Sequence, residues 1–83
     1  LLTHVGLPED LRLAAALRGV DVVVGGHSHT LLSNAMEGAA GPYPTMVGDV
    51  PVVTAGSYGR VLGELVVTFD DAGRVVCLLY TSD

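Results

Sequence analysis

The residues best suited to chemistry are three histidines, His4 and the pair His27 and His29 on either side of Ser28. Histidine is the commonest metal ligand among side chains. On extended backbone, side chains alternate with period two, so a His-x-His segment points both imidazoles to one side. Two such rings can serve one ion or two adjacent ones. Gly25 and Gly26 come just before His27 and let the backbone turn sharply and approach closely. His4 follows the apolar stub Leu1–Thr3. If that stub is a strand beside Val20–Val24, all three rings meet at one sheet edge. The same residues can also be a strand-capping histidine and a surface loop pair, and spacing alone leaves both open.

Other chemistry finds less support. Asp21 and Glu37 have no ligand spacing to the histidines. Ser28 lacks the G-x-S-x-G surroundings of a nucleophile elbow, so a serine hydrolase is not expected. Gly25-Gly26 is not a dinucleotide fingerprint, and no nucleotide loop is visible elsewhere. Gly38, Gly41, Gly48 and Gly73 read as turn residues. Tyr43 and Tyr58 could touch a ligand, but loop tyrosines more often pack over a core edge. Cys77, the single cysteine, is expected to act as a small buried hydrophobe.

The elements that would position these residues follow from the pattern. Pro8 suits the first turn of a helix, and Glu9 and Asp10 there complement the helix dipole. Leu11, Ala14, Ala15 and Leu17 fall on one face at helical spacing. Arg18 and Gly19 suit the last turn and the C′ position. The pattern predicts a helix over Pro8–Arg18. Val20–Val24 is almost continuously apolar and β-branched, as in a strand covered on both faces. One of its sheet neighbours is expected to lie outside these residues. His27–Thr30 then occupies the carboxyl end of that strand, where open α/β sheets bind ligands. The stretch 31–48 reads as loop, Pro51–Ala55 as a strand, and Val61–Tyr80 as a hairpin turning at Asp70–Gly73.

Composition narrows the function classes. The 83 residues can hold one small domain, and a domain this size buries roughly 60% of its unfolded surface. Only 16% of residues are charged and 49% are hydrophobic, against about 25% charged in an average soluble chain. With a first residue other than Met, this leads to the expectation of a piece of something larger. The net charge is −5, and the basic residues are four arginines with no lysine. Such a chain cannot present the basic face that nucleic acid requires. No apolar run approaches the roughly 20 residues of a membrane span, and no signal peptide is visible.

The string Gly19–Thr30 resembles the last metal-binding motif of 5′-nucleotidase-type metallophosphatases, within the calcineurin-like phosphoesterase superfamily. Leu2–Gly6 looks like the ligand motif that precedes it. Gly41–Thr45, Val50–Val53, Gly59–Gly63 and Val66–Asp70 resemble, in order, the family's segments after that motif. The likeness spans nearly the whole chain. It implies an α/β fold: a fragment of a four-layer α-β-β-α sandwich with a C-terminal β-hairpin. Residues 1–83 would form the C-terminal portion of the catalytic domain. Residues 77–83 depart from the pattern and resemble translated adapter sequence, which raises the expectation of a non-native tail.

The resemblance further implies metal ligands at His4, His27 and His29. His4 and His27 would serve one ion and His29 the other, at a position where related proteins carry histidine, asparagine or glutamine. The cofactors would be two divalent ions, with Zn, Mn, Fe and Co not distinguished. The family's Asp-x-His motif, further Asp, Gly-Asn-His-Glu motif and leaving-group histidine have no counterpart here. The implied activity is hydrolysis of nucleotide phosphate esters or anhydrides by a metal-activated water, with a small-molecule nucleotide as partner and a periplasmic or extracellular location. A cyclic-nucleotide phosphodiesterase, a nucleotide-sugar hydrolase, a sulfur-oxidation thiohydrolase and a non-catalytic binding module on the same fold are the alternatives. The isolated fragment is expected to be inactive, needing the N-terminal half of its own domain.

Overall fold

Glu9 and Asp10 stand in the first turn of helix α1, Leu7–Ala16, with Pro8 beside them. A computed structural model of the protein describes the backbone of residues 1–82 and their side chains except at 77, 79, 81 and 82. The helix begins one residue before the predicted start and ends two before the predicted end. Leu17 still donates its N–H to the Leu13 carbonyl at 2.9 Å, but its backbone is already extended at φ −84°, ψ 145°. Gly19, at φ 77°, turns the link towards the sheet and does not follow the helix directly. The buried stripe also differs from the expected one. Leu7, Leu11 and Ala14 pack towards the sheet, whereas Ala15 and Leu17 face solvent. Asp10 lies within that stripe and is fully buried.

Strand β1 is shorter than expected, Val23–Val24, followed by β2 (Thr45–Val47) and β3 (Val50–Val53). These form one mixed sheet in the order β1-β3-β2. β1 runs parallel to β3, with Val23 opposite Val52 and Val24 opposite Val53. β2 and β3 are antiparallel. Val23 is wholly buried but Val24 is 42% exposed, so only one face of this strand is covered, by α1. The missing-neighbour expectation is corrected as well: Leu2 bridges to Val24 in parallel on the edge away from β3. The stretch 31–48 is less irregular than its glycines and prolines imply. It carries β2 and two isolated bridges, Leu31 to Ala55 and Leu32 to Gly41.

Strands β4 (Gly63–Phe69) and β5 (Val75–Ser82) form the expected antiparallel hairpin as a separate two-stranded sheet. Asp70 organises its turn, its Oδ1 accepting from the N–H groups of Ala72 and Arg74, while Gly73 takes φ 81°. Two apolar clusters result. Ala14, Val23 and Val52 join α1 to the sheet. Leu32, Tyr43 and Val53 form the second, against which Leu65 of the hairpin rests. The arrangement is α/β.

Candidate metal centre

Two loops leave neighbouring parallel segments at the same sheet edge, one carrying His4 and the other His27 and His29. They are laced together by backbone. Thr3 donates its N–H to the Val24 carbonyl at 2.9 Å, and Gly6 donates to the Gly26 carbonyl at 3.0 Å. Ser28 adds a third link, its Oγ accepting from the Leu7 N–H at 3.0 Å. Gly6, the residue preceding α1, has no side chain to offer. Ser28 therefore satisfies one of the free N–H groups at the helix start from across the sheet edge. Its hydroxyl also pairs with Thr30 Oγ1 at 2.7 Å. This accounts for Ser28 without a nucleophilic role.

The histidines do not sit on extended backbone, which corrects the period-two argument. His27 has φ 81° and His29 φ 55°, both left-handed, so their side chains diverge. The His27 ring turns to His4, with ring centroids 5.0 Å apart and planes at 63°. The His29 ring turns the other way and meets Tyr58 edge to face at 5.2 Å. Arg60 places its guanidinium 5.8 Å from the centre of the Tyr58 ring. Tyr58 also has positive φ, 58°, and with His27 and His29 it completes the set of such non-glycine residues among those described. Backbone of this kind costs about 1–3 kcal/mol per residue and gathers at functional sites.

The His4 and His27 pair suits a single ion. With metal–nitrogen bonds of about 2.0–2.1 Å and a tetrahedral angle, two imidazole centroids on one ion stand about 5 Å apart. Both rings are exposed and can be reached by an ion. Among the described residues, no group of three or more His, Cys, Asp or Glu side chains comes close enough to hold one. The chain thus supplies a pair of donors at one point and a single donor, His29, at another.

The pattern of residues did not single out Asp10 or Arg60 as parts of this site, and it left Tyr58 between a ligand contact and a core-edge packing role. A buried carboxylate in an apolar helical stripe was the available signal for Asp10. The two loop tyrosines part company. Tyr43 is buried in the second apolar cluster, where burial and then the nearby Glu64 push its phenol up. Tyr58 is 81% exposed beside His29. The expectations for the Cys77 side chain and for the native origin of residues 77–83 fall outside the described residues, although the backbone of β5 pairs through that stretch.

No protein-family model matches the chain. A snake venom 5′-nucleotidase from Naja atra is 50% identical over 84 aligned residues, 90% of this chain and 16% of that protein. The 5′-nucleotidase of Homo sapiens is 44% identical over the same share of the chain. The crystal structure of a 5′-nucleotidase precursor from Thermus thermophilus superposes with a TM-score of 0.88 at 48% identity, covering 95% of this chain and 17% of that one. Over 90–95% of its length the chain is similar to a segment of these 5′-nucleotidases. It spans about one sixth of the length of these relatives. At 44–50% identity the likeness to 5′-nucleotidases is one of sequence as well as of fold. No helix among the described residues is long and apolar enough to cross a membrane.

Proposed function

We propose that this chain supplies the last metal ligands of a 5′-nucleotidase-like, binuclear metal-dependent phosphohydrolase acting on nucleotides. The observation that carries the reading is the His4 and His27 pair, two imidazoles 5.0 Å apart at the carboxyl end of a parallel strand. When bound, two divalent ions would clamp a phosphate and lower the pKa of a water to make it a nucleophile. His4 and His27 would hold one ion and His29 the other.

The chain's own residues have three tasks in this scheme. His4 and His27 supply neutral nitrogen donors, which suit zinc, iron and similar ions. The backbone links from Thr3 to Val24 and from Gly6 to Gly26 hold the two loops in register, so the rings keep their separation. Tyr58 packs against the His29 ring and limits its rotation. The nucleotide substrate is read from the named relatives, and the location outside the cytoplasm rests on the resemblance alone.

The test is substitution in the full-length protein that carries this segment. His4→Ala and His27→Ala should each abolish phosphate release from a nucleoside monophosphate and lower metal content. Near-normal turnover with normal metal content in either variant would refute the assignment.

A further inference from the structure

Asp10 is fully buried, on the face of α1 that packs against the sheet. Its Oδ1 accepts a short hydrogen bond from Thr3 Oγ1. Its Oδ2 is buried and has no hydrogen-bond partner among the described residues. A buried polar atom left unpaired is costly to a fold. The carboxylate sits where it does at the expense of stability.

Its surroundings point to a reason. Thr3, its one partner, immediately precedes His4. On the other side Oδ2 fills the space over Gly25, where a Cβ would lie 1.9 Å from it. Gly25 does not have positive φ, so its backbone does not demand glycine; the carboxylate does. Gly26 differs, since a Cβ there would lie 3.5 Å from His4 Nδ1, an ordinary van der Waals contact. The two glycines before His27 are thus covered, one by Asp10 and the next by the His4 ring. Gly25 is fixed in turn by its N–H, which donates to the Val53 carbonyl at 2.9 Å.

We propose that Asp10 is a positioning residue for the His4 and His27 pair, a buried carboxylate wedged between Thr3 and Gly25 that sets the approach of the two histidine-bearing loops. The proposal rests on the metal-centre reading above. Asp10 touches neither ring. It acts by holding the residue before one histidine and the glycine two before the other. The pairing of carboxylate with glycine is reciprocal: removing the carboxylate frees room for a methyl group, and adding a methyl group displaces the carboxylate.

The experiment is a Co2+ titration of the full-length apo-protein, followed by visible absorption, on Asp10→Asn, Asp10→Ala, Gly25→Ala, the Asp10→Ala/Gly25→Ala double variant and His27→Ala. Substitutions behind metal ligands lower metal affinity about 10- to 100-fold, and that loss is expected for Asp10→Ala and Gly25→Ala. Asp10→Asn keeps the volume and an oxygen for Thr3, so it should stay close to wild type. The double variant should bind more tightly than Gly25→Ala alone. If Asp10→Ala and Gly25→Ala change only the melting temperature, in either direction, while affinity and spectrum stay as in wild type, the proposal is overturned. His27→Ala serves as the control. If it too binds as wild type, the metal-centre reading falls; if it loses Co2+ while Asp10→Ala does not, only the role of Asp10 falls.

Discussion

His4 and His27 come from different loops, yet their imidazole rings stand 5.0 Å apart and edge to face. Hydrophobic burial does not hold them there, because both rings are exposed. The contact is a consequence of the loops beneath, which are tied at Thr3 to Val24 and at Gly6 to Gly26. Two exposed imidazoles gain little from each other in water. On the proposed reading an ion between them would give the arrangement a purpose, and His29 then becomes the residue whose role most needs a separate test.

The His29 ring faces Tyr58, away from the pair. If it ligates a second ion, an amide oxygen at this position can still coordinate a divalent cation, whereas a methyl group cannot. In the full-length protein, His29→Asn and His29→Gln should retain more phosphate-releasing activity than His29→Ala. Equal turnover in all three would make His29 a bystander that merely packs on Tyr58.

Ser28 lies between two candidate ligands, but its hydroxyl is engaged with the Leu7 N–H and with Thr30 Oγ1. Loss of a helix-capping oxygen typically costs about 1 kcal/mol. Ser28→Ala should therefore destabilise the full-length protein by about that amount in a denaturant titration and leave turnover largely intact below the melting transition. Turnover abolished at unchanged stability would reveal a nucleophile instead.

The parts legible in the residues were those set by local rules. Pro8, Glu9 and Asp10 marked the helix start, and Asp70 with Gly73 marked the hairpin turn. What was not legible depended on contacts distant in the chain. Nothing local to Leu17 ends α1 there, and nothing in 31–48 announces β2, which exists because it pairs with β3. The site follows the same division. The three histidines stand out by type, but their directions do not, because left-handed backbone at His27 and His29 breaks the alternation that an extended segment would have. Asp10 looked like an ordinary first-turn acid until its contacts with Thr3 and Gly25 were in place.

Tyr43 gives the fold a dependence on alkaline pH. Its ring is buried, and its hydroxyl lies over Gly63, where a Cβ would be 2.6 Å away. Burial, then the charge of Glu64, raises its phenol above the ordinary value. A raised pKa in the folded state means that folding favours the neutral phenol. The contribution is present in full below the ordinary tyrosine range near about pH 10 and is lost as pH rises through the folded value. The difference in denaturant midpoint between wild type and Tyr43→Phe should therefore shift in favour of the phenylalanine variant above about pH 10. A difference that stays constant across that range would show that Tyr43 does not titrate with unfolding.

The chain by itself should be a poor catalyst and a poor solute. Its hairpin is a separate two-stranded sheet, a unit of marginal stability in water unless packed, and no residue of β4 is buried. Leu2 is 82% exposed, Leu62 76% and Val76 61%. The three histidines form one pair and one single donor, and neither completes the ligand set of a bound ion. Expressed as residues 1–83, the protein should aggregate or melt without cooperativity, bind Co2+ weakly, and release no phosphate from a nucleoside monophosphate with added Mn2+, Zn2+ or Co2+. Sedimentation with a thermal melt, a Co2+ titration and a phosphate assay on the same preparation check all three. A soluble monomer with a cooperative melt and metal-dependent turnover would show that these residues form a self-sufficient enzyme.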